Sequence, residues 1–273
     1  MPRNRHDQRH RPGFRLLDTD EGKVFPNFAV TVDCAVLTVK DNRVHVLLAK
    51  RAEDPFGGEW GLPGGFKRPG EALDEAMLRQ LDEKVGLTLP PSSLHQLRAY
   101  GDPYRDPRPN VVTVVFFALA PELTDLTPGR NVTDIDLFDI ASVASGQPLA
   151  AFDHQAILQD LKEDLAMRVE HEPIIPKLIG NETTLVELRS IYEHLWDEYL
   201  DQANLRRTLV PKFLEPSSRT LTNEFTAIRQ NASAQQSSPG RPPTIWTFTD
   251  HWDNDVPPLR RPRRRNSEEM TDK

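Results

Sequence analysis

The sequence has no pair of cysteines. Cys34 is single, so an internal disulfide is excluded. It sits in the apolar run "VTVDCAVLTV", which marks it as a core residue before a reactive thiol. No apolar run approaches the length of a membrane span. The first residues, "MPRNRHDQRHRPG", are basic and polar with no apolar segment behind them, so they do not read as a secretory signal. These absences together lead us to expect a cytoplasmic protein without membrane contact. Net positive charge is lacking too. Lys and Arg number 34 against 41 Asp and Glu, a balance of −7, which excludes a uniformly basic nucleic-acid binder. No internal repeat is present, and 273 residues suffice for two ordinary domains.

The charge is present but segregated. Acids dominate from Asp153 to Asp201. From Asn204 to Thr249, Arg206, Arg207, Lys212, Arg219, Arg229 and Arg241 face only Glu215 and Glu224. Such asymmetry gives one surface a direction, its basic side toward an anionic partner.

Two β-branched runs, "FAVTVDCAVLTV" and "RVHVLLAKR", flank a turn at "KDN" and predict a hairpin. A Gly/Pro-rich loop follows, then a helix over Glu71–Lys84 with Leu73, Ala76, Met77, Leu81 and Val85 on one face and Gly86 as its stop. "LRAYGDPYRDPRPNVVTVVFFALA" reads as strand, loop and strand. The irregular mixture predicts an α+β sandwich ending near Gly146. Beyond "SGQPLA" the pattern turns helical. "FDHQAILQDLKEDLAMRV" is one helix. "TTLVELRSIYEHLWDEYL" is a second, with Leu185, Leu188, Tyr192, Leu195 and Tyr199 at helical spacing and a capping box at Thr184 and Glu187. "DQANLRRTLVPKF" is a third, with Leu205 and Leu209 inward. Tyr192, Trp196 and Leu209 are core residues on this reading. "KFLEP" and "TIWTFT" form a hairpin around a long polar connection, and "PPLRRPRRRNSEEMTDK" cannot form a core.

Two constellations carry chemistry. In the first, Gly64 and Gly65 let backbone approach a ligand, ahead of a helix N-terminus that favours anions. On that helix, positions 80, 83 and 84 share a face. Three carboxylates there would hold magnesium. The residues are Gln80, Glu83 and Lys84, and an ammonium has no lone pair to give a cation. We therefore expect no metal site, no cofactor and no catalytic residue. In the second, a helix, a turn, a basic helix and a hairpin predict a winged helix. Its second helix enters the major groove. Asn204 suits adenine, Arg206 or Arg207 suits guanine or phosphate, Gln202 lies one turn before Arg206, and Lys212 touches phosphate beside the wing.

The stretch from Gly65 to Leu87 resembles a Nudix box, G-x5-E-x7-R-E-U-x-E-E-x-G-U, with U aliphatic. Gly65, Glu71, Arg79, Leu81, Glu83, Gly86 and Leu87 match, while Gln80 and Lys84 depart at two glutamates. "LLAKR" and "GEWGLPGGF" are similar as well, so this likeness covers Phe25 to Ile140. "GDPYRDPR", "AFDHQAIL", "TTLVELRSIYEHLW", "NLRRTL", "FLEP" and "GRPPTIWTF" extend it, and the chain resembles the NrtR family, Nudix-related regulators of NAD metabolism. The long wing connection departs from that family's pattern.

The resemblance implies an α/β/α sandwich followed by a winged helix-turn-helix. It implies that residues 25–150 bind an effector, ADP-ribose or a related nucleotide, and that 151–250 bind operator DNA; by composition 1–24 and 251–273 read as disordered tails. Arg51, Gly64, Gly65, Arg79, Glu83, Arg105 and Asp106 would line the effector site. The protein would be a repressor, acting as a homodimer on a pseudo-palindrome, because one recognition helix covers only a few base pairs. A Nudix pyrophosphatase and a sugar-responsive regulator of the same build are the alternatives.

Overall fold

Chain that must bury both of its faces reads as β-branched residues at nearly every position, and the runs between 29 and 51 do so. The computed structural model describes residues 16–18, 24–108, 110–217, 244–255 and 259–262. Ahead of those runs, β1 (Leu16–Asp18) pairs antiparallel with β2 (Val24–Pro26). Leu16–Asp18 fall in the stretch expected to be tail, so that expectation is corrected for them. Residues 1–15 lie outside the described residues.

β3 (Ala29–Lys40) and β4 (Arg43–Arg51) form the expected hairpin, with Asp41 and Asn42 both at positive φ between them. β5 (Trp60–Gly61), β6 (Gly64–Phe66), β7 (Leu94–Tyr100), β8 (Val111–Leu119) and β9 (Val132–Asp139) complete the sheet. Its order is β5-β4-β3-β8-β7, with β6 added on β3 and β9 on β4. The β3–β8 pairing is parallel. Side chains alternate along a strand, so Val32, Cys34 and Val36 face α1 (Leu73–Val85), meeting Ala76, Met77, Leu81 and Val85. Ala35 and Leu37 face the opposite layer, made by α2 (Ile140–Ala144) and α3 (His154–Arg168), where Ile157, Leu158, Leu161 and Leu165 are buried. This is the expected Nudix-like sandwich.

α1 starts two residues later than its periodicity predicts, because the Glu71 carboxylate is drawn to the Arg79 side chain and the Arg68 N–H. Glu75 accepts from Ala72 N instead (2.8 Å). Gly86, at φ 68°, closes the helix as expected.

After α4 (Ile174–Ile179) come β10 (Glu182–Thr184), α5 (Leu185–Trp196), α6 (Gln202–Leu209), β11 (Leu214–Pro216) and β12 (Ile245–Phe248). Thr184 caps α5 by accepting from Glu187 N (3.1 Å). Tyr192, Trp196 and Leu209 are buried, as expected. Tyr199 is not, at 71% exposed. Asp197 takes the left-handed conformation (φ 55°) and ends α5 before the next turn could bring Tyr199 inward. β11 and β12 pair as predicted, and β10 adds to the other edge of β12. Two helices around a tight turn with this small sheet are the parts of a winged helix. Residues 218–243, with Arg219, Arg229 and Arg241, lie outside the described residues.

The stretch 251–273, expected to be a disordered tail, is corrected in part. α7 (His251–Asn254) buries Trp252 against Phe213 and Phe248, and its indole N–H donates to Phe213 O (2.8 Å). Leu259 is also buried. Burying a leucine contributes about 1.5–3 kcal/mol, enough to anchor chain whose flanking prolines and arginines suggest no structure. Residues 263–273 lie outside the described residues.

Candidate functional site

One end of β3 opens beneath β6, α1, the loop at 105–108 and the start of α3. The cleft there encloses about 340 Å³. Of the glycines of β6, Gly64 is demanded by the β3 backbone beneath it, while a side chain at Gly65 would displace that of Gln80. A Cβ on Gly65 would stand 2.7 Å from the Gln80 amide, and one on Gly64 would collide with Asp33. Seven cationic side chains line the cleft, Arg51, Arg68, Arg79, Lys84, Arg105, Arg108 and Arg130, against the carboxylates of Asp33, Glu53, Asp54, Glu83 and Asp106. Glu71 and Asp153, just outside this lining, pair with Arg79 and Arg105, so the charges balance. Among the described residues, however, Arg51, Lys84 and Arg130 have no carboxylate partner and are the cations an anionic ligand would meet.

Gln80, Glu83 and Lys84 converge on the cleft as their spacing predicts. Gln80 is buried. In the orientation that satisfies both of its atoms, its amide donates to Gly64 O (3.3 Å) and accepts from Arg79 Nη1 (3.0 Å). Glu83 is held by Arg68 Nη2 (3.0 Å) and Arg79 Nη1 (3.4 Å). Arg79 also donates from Nε and Nη2 to Glu71 (2.9 and 2.6 Å) and from Nη2 to Phe66 O (3.1 Å). The Arg79 hydrogen bonds hold the Glu71 pKa down at about 2. Burial lowers the Lys84 pKa, and Arg51 and Arg130 lower it further. A magnesium ion wants several hard oxygens. This face offers one carboxylate, already claimed by two arginines, an amide and an ammonium, so the residues do not fit that ion. Among the described residues no group of three or more His, Cys, Asp or Glu is placed to hold a metal.

Arg105 and Asp106 line the cleft, but not as an exposed rim. Both are buried. Arg105 makes a two-pronged pair with Asp153 (2.9 and 2.7 Å), and Asp106 takes Arg108 the same way (2.9 and 2.6 Å). Burial acts to raise the Asp106 pKa, yet the Arg108 bonds and charge hold it below the ordinary value. The Arg51 guanidinium lies 4.8 Å from the Phe152 ring, and Phe152 packs on Phe56 (4.7 Å). Phe56 and Phe152 both have positive φ, 64° and 57°, an unusual conformation for aromatic residues.

Asp33, Arg108, Phe152 and His154 were not singled out by the sequence. Asp33 carried a signal, being a lone acid inside an apolar strand. His154 carried none, since only the fold carries the start of α3 to β3. Burial raises the Asp33 pKa to about 6, opposed by the Thr113 hydroxyl, which donates at 2.5 Å. Burial pushes the His154 pKa down to about 3, and its Nδ1 accepts from Leu62 N (3.0 Å).

The second constellation is a surface. Gln202, Asn204, Arg206 and Arg207 are exposed on α6, while Leu205 and Leu209 are buried beneath it. Asp201 caps the helix by accepting from Asn204 N (2.8 Å). The Arg206 guanidinium lies 5.8 Å from the Trp246 ring of β12. Arg207 donates to Asn204 Oδ1 (3.4 Å). Among the described residues neither arginine has a carboxylate partner. Lys212 has one, Asp255, at 2.8 Å. No described helix is long and apolar enough to cross a membrane.

Comparison with known proteins matches residues 27–161 to the NUDIX domain model. An ADP-ribose pyrophosphatase of Methanocaldococcus jannaschii is 36% identical over 143 residues, covering 52% of this chain and 78% of that protein. The ADPR responsive transcriptional repressor NtrR of Acinetobacter baylyi is 29% identical over 189 residues, 68% of this chain and 74% of that one. The crystal structure of Shewanella oneidensis NrtR complexed with a 27mer DNA superposes with a TM-score of 0.63 at 26% identity, over 86% of this chain and 99% of the other. An overlap of 86% of this chain extends past residues 27–161, the part that the NUDIX domain model matches. This chain therefore belongs to the Nudix family, on its NrtR branch.

Proposed function

We propose that the protein is a transcriptional regulator of NAD metabolism genes, a repressor in the cytoplasm, whose hold on operator DNA answers to ADP-ribose or a related nucleotide. One observation carries the reading. A single chain joins a cleft whose Arg51, Lys84 and Arg130 have no carboxylate partner among the described residues to an α6 surface where Arg206 and Arg207 have none either. Arg51, Gly64, Gly65, Arg79, Glu83, Arg105 and Asp106 belong to the effector side. Gln202, Asn204, Arg206, Arg207 and Lys212 belong to the DNA side. The effector acts only through a difference in its affinity for the two states of the protein. A homodimer on a pseudo-palindromic site follows from the small reach of one α6.

We propose further that the cleft binds without turnover, because Gln80, the doubly paired Glu83 and Lys84 do not make a magnesium site. The 36% identity to a pyrophosphatase favours the second reading, a hydrolase with an accessory DNA-binding part. One experiment separates them. A gel shift on genomic DNA fragments is titrated with ADP-ribose, and the nucleotide is then recovered and assayed. Operator release with intact ADP-ribose is the expected outcome. Turnover with magnesium near the ordinary enzyme median, on the order of 10 per second, would overturn the non-enzymatic reading. Operator binding indifferent to ADP-ribose would remove the effector assignment.

A further inference from the structure

At the floor of the cleft, two buried polar groups face each other without touching. Asp33 is 8% and His154 3% exposed, and both line the cleft. Leu62 N–H donates to His154 Nδ1 (3.0 Å). That nitrogen therefore carries no proton, and the neutral ring bears its N–H at Nε2. Thr113 occupies Asp33 Oδ2. Asp33 Oδ1 stands 3.9 Å from His154 Nε2, beyond hydrogen-bond reach. A donor and an acceptor thus flank one small gap.

We infer that this gap is a hydroxyl-reading subsite, in which one sugar-type hydroxyl of the ligand accepts from His154 Nε2–H and donates to Asp33 Oδ1. The inference deepens the effector reading above and rests on it for the rest of the ligand. The chemistry selects a hydroxyl because only a group that both donates and accepts satisfies both partners. A phosphate or carbonyl oxygen only accepts, and a phosphate would also face the negative charge of Asp33. An ammonium only donates and leaves Nε2–H unpaired. Anionic parts of the ligand belong at the α1 end, where Arg68, Lys84 and Arg130 lie. At neutral pH Asp33 is mostly ionised, since its pKa is raised only to about 6, so it is the acceptor that the arrangement needs. The subsite also touches α3, because His154 is that helix's first residue.

The test uses the full chain with ADP-ribose, ribose 5-phosphate and the single-hydroxyl deletions of each. Calorimetry reads affinity, and ring nitrogen NMR reads His154. One deletion should weaken binding by roughly 10- to 100-fold, the cost of a hydrogen bond to a charged group. The His154 ring signals should move with the parent sugar and not with that analogue. Asp33→Asn, checked for folding by thermal melting, should bring parent and analogue to similar affinity. If it fails to fold, the deletion series on the natural protein decides alone. Equal affinity for every deletion analogue overturns the subsite. So do His154 signals that move with neither sugar. A different outcome marks failure of the effector reading: ADP-ribose does not bind, yet ribose 5-phosphate passes both tests.

Discussion

The arginines of the cleft and the arginines of α6 are the same residue under opposite conditions. In the cleft, Arg79, Arg105 and Arg108 each grip a carboxylate with two nitrogens. On α6, Arg206 rests over an aromatic ring and Arg207 touches a side-chain amide. A paired guanidinium is fixed in direction and contributes shape and donors. An unpaired one keeps its charge for a distant polyanion. The contrast teaches that counting basic residues says little about where an anion is bound strongly, until the carboxylates beside them are counted as well.

The comparison can be broken at its firmest point first. Asp153→Ala leaves the buried Arg105 guanidinium without a counter-charge, and we expect a loss of about 3–5 kcal/mol in urea unfolding. A loss below about 1 kcal/mol, the range of exposed pairs, would mean that the cleft arginines are no more committed than those of α6. Next, Arg206→Ala or Arg207→Ala should weaken specific DNA binding by roughly 1–3 kcal/mol if the side chain reads a base. If it only meets phosphate, the salt slope should shrink by about one instead. Arg51→Ala should leave that DNA affinity unchanged and abolish the response to effector, as read in the same titration. Arg79→Ala, by contrast, should also lower stability, because it frees Glu71 and the Phe66 carbonyl. The smallest effect belongs to Lys212, whose pair with Asp255 is half exposed. Lys212→Ala should change stability by less than about 1 kcal/mol. A larger change would move this lysine to the committed class.

Local pattern made much of the fold legible. Alternation along β3 and β4, the helical face of α1 with its Gly86 stop, and the α5–α6 pair are all written within short stretches. Pairing over long distances was not legible. Asp33 bonds Thr113 and comes to face His154 across 3.9 Å only once β3, β8 and α3 are assembled, and Arg105 meets Asp153 across 48 positions. The second of these contacts makes Arg105, expected only to line the effector site, a buried and paired group. Tyr199 was misjudged because one left-handed residue, Asp197, ended a periodicity that the sequence alone would continue. Trp252 and Leu259 were misjudged because composition describes a segment's neighbours, not the surface it lands on.

The apolar residues of α3 have one further consequence. Leu158, Leu161 and Leu165 share a continuous buried cluster with Leu37 and Val46 of the sheet and with Ile191, Leu195 and Trp196 of α5. The bond from Trp196 Nε1 to Ala166 O (3.0 Å) and that from Val44 N to His194 Nδ1 (3.0 Å) join the same three elements. Melting either part would expose the surface that stabilises the other. Heat should therefore take the chain apart cooperatively, as one calorimetric unit, and a cut at residue 150 would yield two fragments that each present a raw apolar face to water.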